Sequence, residues 1–150
     1  MRYVIVCLAL LLSVPATAEI YLVARNKIEG TDLTGVTFLS SKQMPTLESC
    51  AAEQKAARTT GFQIFSRIYY KTHKGFSAQM QLYCAESAQV MSVFQAQSLA
   101  NYTYLVTIEN NRVNVQPFDN LGHCTSKAGN NNQTSSTRFC AKSQQALREP

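Results

Sequence analysis

The sequence predicts an α+β fold: an antiparallel sheet of two β-hairpins plus one or two N-terminal strands, with two to three helices packed on one face and two disulfides. Three observations predict it. Short alternating segments are separated by turn residues, one stretch carries a capped helical stripe, and four cysteines remain after an export leader is set aside. The 150 residues suit one domain. A content of 45% hydrophobic against 15% charged residues excludes long disorder. Collagen and coiled-coil periods are missing, and so is a series of spanning runs.

Residues 1–18 read as a secretory signal peptide. Arg2 gives a positive start, Tyr3 to Val14 is almost wholly apolar, and Pro15 ends the run. Ala16-Thr17-Ala18 places small residues where a signal peptidase reads, so cleavage is expected after Ala18. The apolar run is shorter than the ~20 residues a spanning helix needs. The expected product, residues 19–150, is a single exported domain, periplasmic or secreted, with 13 basic and 9 acidic side chains.

Cleavage also removes Cys7, leaving Cys50, Cys84, Cys124 and Cys140. Of three possible connectivities, Cys50–Cys84 and Cys124–Cys140 are expected, because each joins neighbouring elements. Loops of these lengths stabilise a fold by roughly 3–4 kcal/mol each in the chain-entropy view. Metal and redox chemistry are not expected. No Cys-x-x-Cys occurs, and neither histidine falls at a zinc-finger spacing.

Along the mature chain, Ile20 to Ala24 reads as a buried strand and Val36 to Leu39 as a second. A helix is expected from Thr46, which caps it, with Leu47, Cys50, Ala51, Gln54 and Ala57 facing inward and Gly61 as the left-handed stop. Phe62–Tyr70 and Phe76–Cys84 are expected to form a hairpin through His73-Lys74-Gly75, the even positions facing the core. The segment from Glu86 to Ala100 divides between a weak helix and loop. A second hairpin runs through Asn110-Asn111, pairing Val106 with Val115, Ile108 with Val113 and Glu109 with Arg112. A last helix is expected from near Ser136, with Phe139, Cys140, Ser143, Ala146 and Leu147 on one face. Residues 50–58 match residues 140–148 at five of nine positions, which a duplicated helix-plus-hairpin unit or the abundance of Ala and Gln in helices would explain.

Common catalytic signatures are missing: there is no nucleophile elbow, zinc-protease motif, phosphate-binding loop or dinucleotide fingerprint. The two histidines, His73 and His123, are the weak catalytic candidates. With Lys71 or Lys74 they would suit acid–base cleavage of RNA, but a hairpin tip is a poor place to fix a proton transfer. Asp32 and Asp119 lie in turn-like sequence, where carboxylates commonly serve turn geometry.

The stronger signal is a candidate binding face. Phe65, Arg67, Tyr69 and Lys71 alternate along one expected strand, and the register places Gln79, Gln81 and Tyr83 beside them. The expected function is therefore a small, disulfide-stabilised, non-enzymatic binding or accessory module, contacting a protein or an anionic envelope component. No cofactor, dedicated nucleic-acid binding or transmembrane segment is expected after cleavage. The alternatives are a secreted hydrolase, such as a nuclease using His73 and His123, and an enzyme inhibitor or immunity-type protein acting through the Asn-rich loop Gly129 to Ser136.

Overall fold

The computed structural model describes residues 18–65, 78–95, 99–129 and 136–148. The expected leader, apart from Ala18, lies outside them. The elements are β1 (Glu19–Ile28), β2 (Thr34–Leu39), α1 (Leu47–Thr59), β3 (Ala78–Ser87), β4 (Val90–Met91), β5 (Tyr102–Glu109), β6 (Arg112–Phe118), α2 (Leu121–Ala128), β7 (Ser136–Ser143) and β8 (Leu147–Arg148). Six strands close into a barrel in the order β1-β2-β7-β5-β6-β3, and β4 pairs with β8 in a separate short ribbon. Among the described residues, α1 contacts β1 and β3, whereas α2 contacts β5, β6 and β7. The helices therefore flank opposite sides of the barrel rather than sharing one face. The sheet is also mixed rather than antiparallel: β2 meets β7, and β3 meets β6, in parallel.

Strand periodicity explains the layers. On β1, Tyr21 and Val23 point into the barrel with Val36, Phe38, Val106, Val115 and Phe139. Leu22 and Ala24, one position off, point outward against Met44, Cys50 and Leu82 beneath α1. Each parallel seam is held by a single bridge, Gly35 to Lys142 and Glu86 to Arg112. One bridge is worth about 1 kcal/mol, whereas each buried core side chain contributes roughly 1.5–3 kcal/mol. Apolar filling, more than backbone pairing at the seams, keeps the barrel closed.

The barrel is built twice. Each half is a hairpin, a helix and a returning strand that pairs with the hairpin's first strand. Val23 pairs with Phe38 as Val106 pairs with Val115, and Leu22 pairs with Cys84 as Leu105 pairs with Cys140. These registers align Tyr21-Leu22-Val23 with Tyr104-Leu105-Val106. They also align Cys84-Ala85-x-Ser87-x-Gln89 with Cys140-Ala141-x-Ser143-x-Gln145. The helices align too. Thr46 and Asn120 each stand four residues before a helical cysteine, and each accepts the N–H of the third residue beyond it, Ser49 or His123. Both seam bridges are equivalent under this alignment, so the halves close on each other as a two-fold pair.

Repeated glutamines and tyrosines tie the halves together. Gln89 grips the backbone of Val115 with both ends of its amide, at 2.7 and 2.8 Å. Gln145 grips Phe38 in the same way, at 2.7 and 2.8 Å. The Tyr21 hydroxyl accepts from Met91 N at 2.9 Å, and the Tyr104 hydroxyl accepts from Leu147 N at 2.9 Å. Met91 and Leu147 are themselves partners in the β4–β8 ribbon.

Several expectations hold and others are corrected. Helix α1 begins at its Thr46 cap, and Gly61 takes φ 81°. Its buried face holds Cys50 and Glu53, with Ala51 exposed. The second hairpin has the expected register, with Asn110 and Asn111 at φ 48° and 57°. Arg112 stands opposite Glu109, yet its guanidinium pairs across the seam with Glu86 at 2.9 Å. Both expected disulfides are present. The expected helix from Ser136 is instead β7, paired along its length with β5. Within 86–100 the described residues are not helical: 86–95 hold the end of β3, β4 and irregular chain, 99–100 are irregular, and 96–98 lie outside the described residues. Phe62–Phe65 is turn rather than strand, and Met80 pairs with Asn26 of β1. The expected loop at residues 73–75 lies outside the described residues. The duplication pairs Cys50 with Cys124, and Cys84 with Cys140, because residues 140–148 are the end of β7, a bend and β8, and cannot match α1.

Candidate functional site

An open groove of about 440 Å³ lies where the second half's hairpin, helix and returning strand meet. Gln116, Pro117 and Phe118 come from the end of β6, Asp119 from the following turn, His123 and Lys127 from α2, and Arg138 from β7. The local sequence builds it directly. Pro117 and Phe118 close the hairpin, and Asn120 caps α2 through His123 N at 2.8 Å. One helical turn onward, Lys127 returns to the same side as His123. The Cys124–Cys140 disulfide, Cα–Cα 5.9 Å, fastens the helix to β7 over a small core of Leu105, Phe118 and Leu121.

The groove side chains are positioned but not consumed. The His123 ring meets the edge of Phe118 at 5.4 Å. Arg138 Nη2 donates to Lys127 O at 3.3 Å, at the negative end of α2. His123, Lys127 and Arg138 are all exposed, and among the described residues neither Lys127 nor Arg138 forms an ion pair. Two cations and an imidazole thus line the groove with one carboxylate, Asp119.

The first half shows what these positions do when they serve structure. Where the second half has His123, Lys127 and Arg138, the repeat alignment puts Ser49, Glu53 and Leu82. Ser49 completes the capping box of α1. Glu53 is buried and accepts from Gln63 N and Ile64 N at 3.0 and 2.9 Å. Leu82 is buried under α1. Three structural side chains in one half are three exposed nitrogen-bearing side chains in the other.

The expected face fares differently. Phe65 packs against the cluster beneath α1. Tyr83 is half-buried against the barrel interior, its hydroxyl donating to Gln81 Oε1 at 2.9 Å. Gln81 also accepts from Arg25 Nη1, and that guanidinium lies 4.5 Å from the Phe139 ring centre. Arg67, Tyr69, Lys71 and His73 lie outside the described residues, so no distance relates His73 to His123. In the loop Gly129 to Ser136, residues 130–135 also lie outside them. Asp32 lines a second depression of about 360 Å³ with Lys27, Glu29, Gly30, Thr31 and Gln79. Among the described residues, no group of three or more His, Cys, Asp or Glu side chains could hold a metal ion. No described helix is long and apolar enough to cross a membrane.

Sequence reasoning named His123 but missed Arg138 and Lys127 as its companions. The signal available was the repeated Tyr-Leu-Val and Cys-Ala-x-Ser-x-Gln sequences, since they align the halves, match Cys50 with Cys124 and expose the exchange of Glu53 for Lys127. Fold and groove together define a duplicated, disulfide-clamped small barrel with a cationic depression on its outer wall. No protein-family model, curated protein or solved structure matches this chain.

Proposed function

We propose that this protein is a small exported, disulfide-stabilised, non-enzymatic binding or accessory module, released to the periplasm or the exterior by cleavage after Ala18. The observation that carries the reading is the placement of the crosslinks: one in each half, each clamping a helix to the barrel wall. Both need an oxidising compartment to form. In support, β1 begins at Glu19, directly after the proposed cleavage point. The barrel interior is filled by its own side chains, so partners are met on the outer wall and loops. Mass spectrometry of native material is expected to show a chain starting at Glu19 with no alkylatable thiol before reduction. An intact leader, or four free thiols, would reject export. Partner contact is assigned to the segment with Phe65, Arg67, Tyr69 and Lys71. Replacing Arg67 and Tyr69 by Ala should abolish capture from an envelope fraction while leaving the thermal midpoint unchanged.

A secreted nuclease is the second reading, favoured by the exposure of His123 beside Lys127 and Arg138. A zymogram in RNA or DNA with a clearing band lost in His123→Ala would replace the binding reading with it.

A further inference from the structure

The groove of the second half calls for an account independent of export. Duplicated scaffolds share what holds them together. Tyr21 and Tyr104, Gln89 and Gln145, and both cysteine pairs recur with the same contacts. At three equivalent positions around the helix and returning strand, the halves instead differ in one direction. The second half exchanges Ser49 for His123, Glu53 for Lys127 and Leu82 for Arg138. The buried acid becomes a base, and the buried leucine becomes an exposed guanidinium. Arg138 also donates to Lys127 O at the C-terminal end of α2, but the His123 and Lys127 side chains serve no capping or clamping need, because Asn120 already caps the N-terminus of α2 and the disulfide already clamps it.

We propose that the groove between β6, α2 and β7 is a binding site for a phosphate ester, held by Arg138, Lys127 and His123. A guanidinium offers two parallel N–H donors to an oxyanion, and an ammonium adds a compact point charge. His123 supplies a third nitrogen donor, its ring held edge-on by Phe118. Pro117 and Phe118 give the ester's carbon portion an apolar wall, and Asp119 and Gln116 give its hydroxyl groups polar partners. At about 440 Å³ the groove is of the size that takes a small molecule. Its openness to water makes binding sensitive to salt, since exposed charges are screened over roughly 8 Å at physiological ionic strength.

The same phosphate chemistry belongs to soluble esters and to lipid headgroups, and titration separates them. The oxidised protein is titrated with inorganic phosphate and glycerol phosphate while backbone amide resonances are followed by NMR. In parallel it is mixed with phosphatidylcholine vesicles, with and without phosphatidylglycerol. Saturable shifts are expected at residues 116–127 and 138, weakened by added salt. The double variant Lys127→Glu/Arg138→Leu, which installs the first half's residues, should lose roughly tenfold or more in affinity. Arg138→Lys with Lys127→Arg should recover much of it. The control Lys55→Glu/Arg58→Leu makes the same charge change on exposed positions of α1 and should bind as the parent does. Vesicle binding that needs the groove, without binding of soluble esters, assigns the site to a lipid headgroup. Binding of the soluble esters assigns it to a free ester. Absence of saturable shifts with every probe overturns the proposal, and so does equal loss in the control and groove variants. An unchanged near-ultraviolet circular dichroism spectrum establishes that each variant is folded. Neither outcome bears on the leader or the thiols, so failure here is distinct from failure of the export reading.

Discussion

The two halves of the barrel share a skeleton and differ on their outer walls. The first half has a five-residue loop between β1 and β2, a 13-residue helix and a wall packed with Leu82, Met44 and Cys50. The second has a two-residue turn, an 8-residue helix and a wall that opens as a cationic groove. Residues at the interface between halves are constrained twice, once by each copy, and they repeat. Residues on the outer walls answer to one copy only, and there the halves have separated. Shared packing and divergent side chains are thus divided between the inside and the outside of the same strands.

The crosslinks give the largest way to sharpen the comparison. Cys50–Cys84 closes a separation of 34 residues and Cys124–Cys140 one of 16. The chain-entropy relation gives about 4 kcal/mol for the first and about 3 kcal/mol for the second. Replacing each pair by Ala and measuring unfolding in urea should rank the first-half bridge as the costlier. The first half also loses more packing, since Cys50 is buried in the larger outer cluster. A costlier loss in the second half would show that the groove wall, not the packed wall, depends most on its clamp.

The bridging glutamines come next. Gln145 is fully buried and makes three hydrogen bonds through its amide, to Phe38 N, Phe38 O and Ser92 O. Gln89 is half-buried and makes two, both to Val115. Gln145→Ala leaves a buried amide and carbonyls without partners and should cost about 2–3 kcal/mol. Gln89→Ala should cost about 1 kcal/mol, because water can reach its site. Equal costs in chemical denaturation would break the claim that the two grips differ in burial.

The paired tyrosines respond to alkali. Burial raises both phenols above the ordinary tyrosine value of about 10, and more strongly for Tyr21, which also donates to the Glu19 carboxylate at 2.7 Å. A raised folded value favours the neutral phenol in the native state. The stability it contributes is intact below about pH 10 and is lost as pH rises above it. The urea midpoint should therefore hold to about pH 10 and then fall. Tyr21→Phe should remove the larger part of that fall and Tyr104→Phe the smaller part. Identical pH profiles for the parent and both variants would contradict the burial argument.

What the sequence made legible was local. The Thr46 cap, the Gly61 stop, the Asn110-Asn111 turn and the alternation around it all act over a few residues, and all are present. The disulfides were legible because compartment and chain proximity limit the pairings. The failures were tertiary. Ala141, Gln144, Gln145, Ala146 and Leu147 favour helix locally, but Ala141 is held in β7 by pairing with β5, the Gln145 amide is bonded to Phe38 and Ser92, and Leu147 pairs with Met91. No helix was legible at Leu121–Ala128, because α2 is only eight residues long, carries Gly122 and buries only Cys124. Met80, Leu82 and Cys84 were correctly read as facing a core, but the other side of β3 also faces one, because barrel strands are covered by side chains within and a helix without. Tyr83 therefore reads as an outer surface when it packs against the inner one. Aligning Tyr21-Leu22-Val23 with Tyr104-Leu105-Val106 would have revealed the duplication and, with it, the closed sheet.

The smallest contrast is in the turns. The first half reverses through Gly30 at φ 76°, the second through Asn110 and Asn111 at φ 48° and 57°. Left-handed backbone favours Gly, tolerates Asn and costs other residues about 1 kcal/mol. Asn111→Gly should therefore stabilise the protein slightly, by about 0.5 kcal/mol, since Asn-Gly suits a two-residue turn. A Cβ at position 30 meets no atom within 4 Å, so Gly30→Asn should cost only a few tenths of a kcal/mol. Thermal midpoints of the two variants test whether the turns or the strands set the register. If packing of the Tyr21 and Tyr104 strands within the barrel core sets it, both changes stay small and the amide exchange pattern of the hairpins is unaltered. A large loss from Gly30→Asn would instead make the first turn the element that fixes β1 against β2, and would place the origin of the halves' divergence in their loops.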